Sequence, residues 1–344
     1  MKKPSKEVLL LWDSARNFLN QYLPKVRNVS TNTTDSYRQS LNCYIDYLEK
    51  NKEIKRQKMT FEDFQRENIK GYLTWMKDVK KLSVNTCNLR VTALRSFLEY
   101  AADEEAELMA IYNSACTVKG LKVKKRAIEY LERKAMVALL KTPNTTTNKG
   151  KRNRMLLILL YDTAARVQEI VDIRLCDLHL EVQTPFVTLH GKGNKWRTVP
   201  LMEKTVLHLR QYLKEFHSVV NKNSDIPLFY VVSDAKPHKL STDTVDKMLK
   251  KCALLAQETC LEMPLNLHCH MIRKTRAMDL YQEGVPLVHI MQLLGHENIS
   301  TTSGFYAFAT LDTLNQSLRK VNTDIEGTEP LWKTAESTKQ LYQL

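Results

Sequence analysis

The chain has 344 residues, 43% hydrophobic and 26% charged, a balance that suits an ordinary globular protein with room for two domains. Lys and Arg number 52 against 38 Asp and Glu, a net charge of +14 that favours a polyanionic partner, most often nucleic acid, over an acidic-protein chemistry. A membrane span is excluded because the longest apolar run, MLLILLY, is far too short. A disulfide scaffold is excluded because the seven cysteines are scattered without a CxxC pair, the usage of reduced thiols in a cytoplasm.

The opening, MKKPSKEVLLLWDSARNFL, has too short an apolar run and no small-residue site for a secretory leader. Residues 1–115 read as almost purely helical. In TTDSYRQSLNCYIDYLEK, Tyr37, Leu41, Tyr44 and Leu48 share a stripe. SVNTCNLRVTALRSFLEYAA starts at an N-cap, Ser83, and spaces Val84, Cys87, Val91, Leu94 and Leu98 by three and four. The neighbouring stripe of Asn85, Asn88, Thr92 and Arg95 is either a solvated face or a surface turned to a DNA groove, since short amides and Arg suit phosphates and base edges.

Over residues 116–128 the pattern changes. TVKGLKVKKRAI carries Lys122, Lys124, Lys125 and Arg126 with no helical stripe, and reads as a basic linker able to track a phosphate backbone or simply to sit in solvent. From YLERKAMVALLKT the chain is helical again, broken by one clear β signal: FVTLHGKGNKWRTVPL is strand, turn, strand, with Gly191 and Gly193 in the turn. A short helix, LDTLNQSLRK, and an amphipathic tail, EPLWKTAESTKQLYQL, close the chain.

Four segments hold groups that can do chemistry. In YDTAARVQEIVDI, Arg166 sits at the junction between an apolar helix and an amphipathic one, and its bland reading is an ion pair with Glu169 or Asp172. In HGKGNKWR, Lys192 lies between two glycines on an exposed tip, with Lys195 as a competitor for its role. In NLHCHMIRKTRAMDL, His270 and Arg273 share a helix face, and Lys274 follows. In LLGHENISTTSGFYAF, His296 follows a helix that ends at Gly295, and Tyr306 comes ten residues later. A zinc site built from Cys252, Cys260, His268, Cys269 and His270 fits no tetrahedral spacing.

Singly these segments decide nothing. Together they would bring two guanidiniums, an ammonium and two imidazoles onto one phosphodiester. The Arg forks would neutralise the non-bridging oxygens as charge builds there. A Tyr hydroxyl, with an ordinary pKa of about 10, becomes a nucleophile in that field beside a base. Lys or His can protonate the leaving 5′ oxygen, and fixed cations take the place of a metal.

These four boxes, in order and at this spacing, resemble the tyrosine recombinase (phage integrase) family over about residues 30–320. The resemblance implies catalytic Arg166, Lys192, His270, Arg273, His296 and Tyr306. It implies DNA contacts from Asn85, Asn88, Arg95, Lys122, Lys124, Lys125, Arg126 and Lys274, with no metal and no cofactor. Two departures stand out. Ala164 replaces a glycine common two residues before the first Arg, so the turn there should avoid positive φ, and Lys274 replaces a common His. The expected fold is mainly α (α+β): a helical core-binding domain over 1–115, the linker, and a mostly helical catalytic domain with a small antiparallel sheet over 129–325. A tail over 326–344 is expected to be exchanged between protomers through Trp332, Leu341 and Tyr342 or folded back. The implied partner is duplex DNA, held by a homo-tetramer on two recombination sites, in service of integration, excision or transposition of a mobile element. A type IB topoisomerase-like relaxing activity and a non-catalytic DNA-binding protein remain the alternatives.

Overall fold

The computed structural model describes residues 4–123, 129–191, 195–218, 224–233 and 236–295. The chain divides into two compact units, Met1–Arg126 and Ala127–Leu344, and each has its own hydrophobic core. The architecture is mostly helical with two small antiparallel sheets.

The first unit contains only helices among its described residues. Helix α1 (Lys6–Asn17) runs into a wider π-wound stretch, Phe18–Val26, with Pro24 inside it. Then come α2 (Thr31–Lys52), α3 (Arg66–Asp78), α4 (Val84–Glu104) and α5 (Met109–Cys116). Ser30 and Ser83 cap α2 and α4 by accepting the N–H of Thr33 and Thr86, so the expected cap at Ser83 is present. The stripes behave as read: Leu41, Tyr44 and Leu48 of α2 and Cys87, Val91, Leu94 and Leu98 of α4 are buried. Aromatic rings make the centre, with Phe18 and Phe97 at 5.5 Å and Tyr44 and Tyr72 at 5.0 Å between centroids. Each such buried side chain contributes about 1.5–3 kcal/mol through lost contact with water. Tyr44 also donates its hydroxyl to the Asp63 carbonyl at 2.7 Å, so its polar end is satisfied.

The expected linker starts later than its sequence suggests. Helix α5 runs to Cys116, and Val118 is buried against the first unit's core. Asn88 explains why: its amide donates to the Leu121 carbonyl at 2.9 Å and accepts the Leu121 N–H at 2.8 Å. Arg95 donates to the Val118 carbonyl. The polar stripe of α4 therefore holds residues 118–121 in place. Lys122 is exposed beyond it, while Lys124, Lys125 and Arg126 lie outside the described residues.

The second unit orders α6 (Arg133–Lys141), α7 (Asn148–Asp162), α8 (Val167–Val171), β1 (Leu178–His179), β2 (Phe186–His190), β3 (Trp196–Pro200), α9 (Glu203–Phe216), β4 (Tyr230–Ser233), β5 (Lys236–Lys239), α10 (Thr242–Gln257), α11 (Cys269–Gln282) and α12 (Leu287–Leu294). The expected hairpin is β2–β3, in the register Val187↔Val199 and Leu189↔Arg197. Its apolar alternates Val187, Leu189 and Val199 are fully buried. A third strand, β1, and a second hairpin, β4–β5, were not read from the sequence. β1 is two residues long, and β5 carries Pro237 and is exposed throughout, so neither shows buried alternation.

Helix α7 is the spine of this unit. Leu156, Leu157, Leu159 and Leu160 are all buried, as a helix enclosed on every side requires. Its last turn is fastened to α11: Tyr161 donates to Asp279 at 2.5 Å, and Arg276 lies over the Tyr161 ring at 5.2 Å and pairs with Asp162 at 3.6 Å. The end of α7 and the face of α11 are thus fixed to each other, which positions the residues described next.

Candidate active site

Four residues join α7 to α8. Thr163 closes α7 by donating its hydroxyl to the Leu159 carbonyl at 2.6 Å, and Thr163 Oγ1 in turn accepts the Ala165 N–H at 3.3 Å. Ala164 between them has φ +48° and is fully buried. The expectation that alanine forces this turn away from positive φ is therefore corrected. The left-handed conformation costs a non-glycine residue about 1–2 kcal/mol, and burial of the methyl group offsets part of that. The conformation turns the Ala164 carbonyl to accept Nη1 of Arg273 on α11 at 2.8 Å.

Arg166 is the N-cap of α8. Its backbone N–H donates to Glu169 Oε2 at 2.7 Å and its Nη1 to Oε1 at 2.8 Å. The ion pair weighed against a catalytic role is thus present, yet the Arg166 side chain stays 41% exposed, so its guanidinium still has a face open to a ligand. Glu169 is only 2% exposed and is also gripped by Arg197 of β3, Nη1 to Oε1 at 2.8 Å and Nη2 to Oε2 at 2.7 Å. Burial by itself would raise the Glu169 pKa. The bonds from Arg197, then the Arg166 N–H and the two positive charges, overcome that and hold it at about 2.

Arg273 is buried, and its Nη2 donates to the carbonyl of Leu294, the last residue of α12, at 2.5 Å. Its guanidinium therefore bridges the end of α12 and the α7–α8 turn. Burial, then the like charges of Arg166 and Arg197, push its pKa down to about 9. His270 stands one turn earlier on α11, at the surface of the same cluster. The packing around its ring, then Lys274, Arg273, His268 and Arg166, lower its pKa to about 4, so it is neutral at pH 7. Helix α12 ends as read, with Gly295 left-handed at φ +61°.

Of the residues expected to act on a phosphate, the structure brings Arg166, His270 and Arg273 together with Lys274 beside them. Lys192, His296 and Tyr306 lie outside the described residues, as does the tail. Asn85 is exposed on α4, while Asn88 and Arg95 already have backbone partners. Sequence reading passed over Glu169, except as the partner of Arg166, and passed over Arg197 altogether. The available signal for Arg197 was register: it shares a strand face with buried Val199, an unusual place for a charge.

No group of three His, Cys, Asp or Glu side chains suited to a metal exists among the described residues. His268 caps α11 instead, its Nδ1 accepting the Met271 N–H at 3.3 Å. Nor is any helix among the described residues long and apolar enough to cross a membrane.

Comparison with known proteins places this arrangement. The profile of the Phage integrase family matches residues 129–310, and that of the phage integrase N-terminal SAM-like domain matches residues 17–105. The chain is 29% identical over 307 residues to the putative integrase/recombinase y4rC of Sinorhizobium fredii, covering 89% of this chain and 90% of that one. It is 31% identical over 277 residues to the tyrosine recombinase XerD of Staphylococcus epidermidis, covering 80% and 88%. Its fold is like that of the Tn1549 transposon integrase solved in complex with transposon right end DNA, with TM-score 0.67 and 17% identity over 89% of this chain and 98% of that one. A cluster of arginines at a helix junction, a β-hairpin and a His-x-x-Arg helix, inside matches that span both units, means that this chain belongs to the phage integrase family of tyrosine recombinases.

Proposed function

We propose that the protein is a site-specific DNA recombinase that cuts and rejoins strands through a covalent bond between Tyr306 and a 3′ phosphate. One observation carries this reading. Arg166 and Arg197 hold a single buried carboxylate, Glu169, with Arg273 beside them, and His270 and Arg273 are both pushed towards neutrality by burial and then by their neighbours' positive charge. Such a centre gains most from a bound anion, and a scissile phosphate is one.

In the proposed reaction, Arg166 and Arg273 meet the two non-bridging oxygens and neutralise the charge that grows on them. Tyr306 Oη attacks phosphorus and its proton passes to neutral His270. The bond from phosphorus to O5′ breaks, and Lys192 delivers a proton to that oxygen. His296 hydrogen-bonds the phosphate. The phosphodiester energy stays in the phosphotyrosyl bond, so a 5′-hydroxyl from a second duplex can reverse the step without ATP. Lys122, Lys124, Lys125 and Arg126 contact the phosphate backbone, and Asn85 and Lys274 add contacts. Four protomers on two sites would exchange strands in pairs. The relative named an integrase/recombinase supports recombination as the activity, and the transposon integrase solved with its DNA is the support for DNA as the partner and a mobile element as the setting.

The test is a covalent trap. Full-length protein is incubated in a chelating buffer with nicked duplexes carrying candidate element ends, then run on a denaturing gel. A shifted protein–DNA band that Tyr306→Phe abolishes is the expected result. Binding on a native gel with no covalent band on any candidate end would sink the proposal. Relaxation of supercoiled DNA without joining of two duplexes would assign a topoisomerase-like role instead.

A further inference from the structure

Arg197 is the residue whose contacts the reaction above does not use, and from the hairpin they reach two separate parts of the site. Its Nη1 and Nη2 take both oxygens of buried Glu169, which also holds the N–H and the guanidinium of Arg166. Its Nε donates to the Leu293 carbonyl near the end of α12 at 3.1 Å. It sits in β3, five residues after Lys192 in the same hairpin.

Gly295 makes room for it, while Gly191 lies against the Lys195 carbonyl. A Cβ on Gly295 would come within 3.1 Å of Arg197 Cδ and 3.3 Å of its Nε and Nη1, and a Cβ on Gly191 would lie 3.2 Å from the Lys195 carbonyl and 3.9 Å from Arg197 Nη1. A carboxylate has about four lone-pair sites, and Glu169 receives four hydrogen bonds. Its position is therefore fixed, and the Arg166 fork is fixed with it. A lysine could supply the charge but not the two parallel bonds and the third, orthogonal one.

We infer that Arg197 is a positioning residue for strand cleavage: through Glu169 it sets the angle of the Arg166 guanidinium, and through Leu293 it ties the hairpin to the exit of α12. The inference rests on the recombinase reading of the site. Arg197 is 13% exposed and its three donor nitrogens are taken up by Glu169 and Leu293, so its loss acts on rate through Arg166 and not on DNA affinity.

The experiment measures single-turnover cleavage of a nicked duplex and DNA affinity for wild type, Arg197→Lys, Arg166→Lys and the double variant, all full length. Arg197→Gln, which keeps one donor to Glu169, is carried alongside in case Arg197→Lys fails to fold. Arg197→Lys or Arg197→Gln is expected to slow cleavage about 10–100-fold with affinity unchanged within about threefold. In the Arg166→Lys background the same change should add less than about threefold, because the residue it serves is already gone. Cleavage within twofold of wild type, or fully multiplicative losses in the double variant, would overturn the inference. A wild type that forms no covalent complex at all would instead remove the recombinase reading, and the inference with it.

Discussion

Replacing Glu169 with Gln keeps the shape of the side chain and removes its charge. In the folded protein this carboxyl titrates at about 2 against an ordinary 4.5, a gap worth about 3 kcal/mol. Because the folded value is the lower one, that stabilisation is complete above 4.5 and is lost as the pH falls through about 2. Gln also turns an amide N–H₂ towards guanidinium donors, which agrees with the usual loss of about 3–5 kcal/mol on breaking a buried pair from one side. For a domain of this size, each kcal/mol moves the melting point by about 2–4 °C. Calorimetry on the full-length protein at pH 7 should therefore show Glu169→Gln melting about 6–12 °C below wild type. At pH 3 the wild type has itself lost more than half of the contribution, so the gap should shrink by about half or more. A fall of less than about 2 °C at pH 7, or an equal gap at both pH values, would refute the claim that this carboxylate is held by its two arginines.

Ala164→Gly should leave the melting point within about 2 °C, because release of about 1–2 kcal/mol of left-handed strain is balanced by a lost buried methyl and a freer unfolded chain. A drop beyond about 5 °C would show that the alanine is not strained. His270 should titrate by NMR near 4, with its ring proton flat from pH 8 to about 5.5, and inorganic phosphate should raise the midpoint. Its protonation disfavours the fold, so stability is lost as pH falls from 6.5 towards 4; a midpoint near 6.5 would contradict the cation cluster. Asn88→Ala removes both bonds to Leu121 and should cost about 1–3 kcal/mol of stability with DNA affinity changed less than threefold. A tenfold loss of affinity at unchanged stability would return Asn88 to the DNA surface.

What the sequence made legible is what local physics controls. The stripe through Leu94 and Leu98, the cap at Ser83, the hairpin and the stop at Gly295 each depend on residues a few positions apart. Of the cation boxes, Arg166, His270 and Arg273 were legible as residues that the fold brings together. The Arg197–Glu169 clamp was hidden because its partners are 28 residues apart, and strand register marks the face of Arg197 but not its partner. Asn88 was misleading for the same reason: an amide on a polar stripe gives no sign that Leu121, 33 residues on, will fold back to it. At Ala164 the expectation failed because packing can outweigh a backbone preference of about 1–2 kcal/mol.

That alanine also bears on how such sites are found. Arg273 takes hold of position 164 through its carbonyl oxygen, a group every amino acid carries. What the fold asks for there is a torsion angle, and glycine is one of several letters that can spell it. A pattern search that insists on glycine two places before the arginine would pass over this chain. A search on backbone geometry, asking for a left-handed residue whose carbonyl caps a buried guanidinium, would retrieve it and any other chain that reaches the same angle by different means.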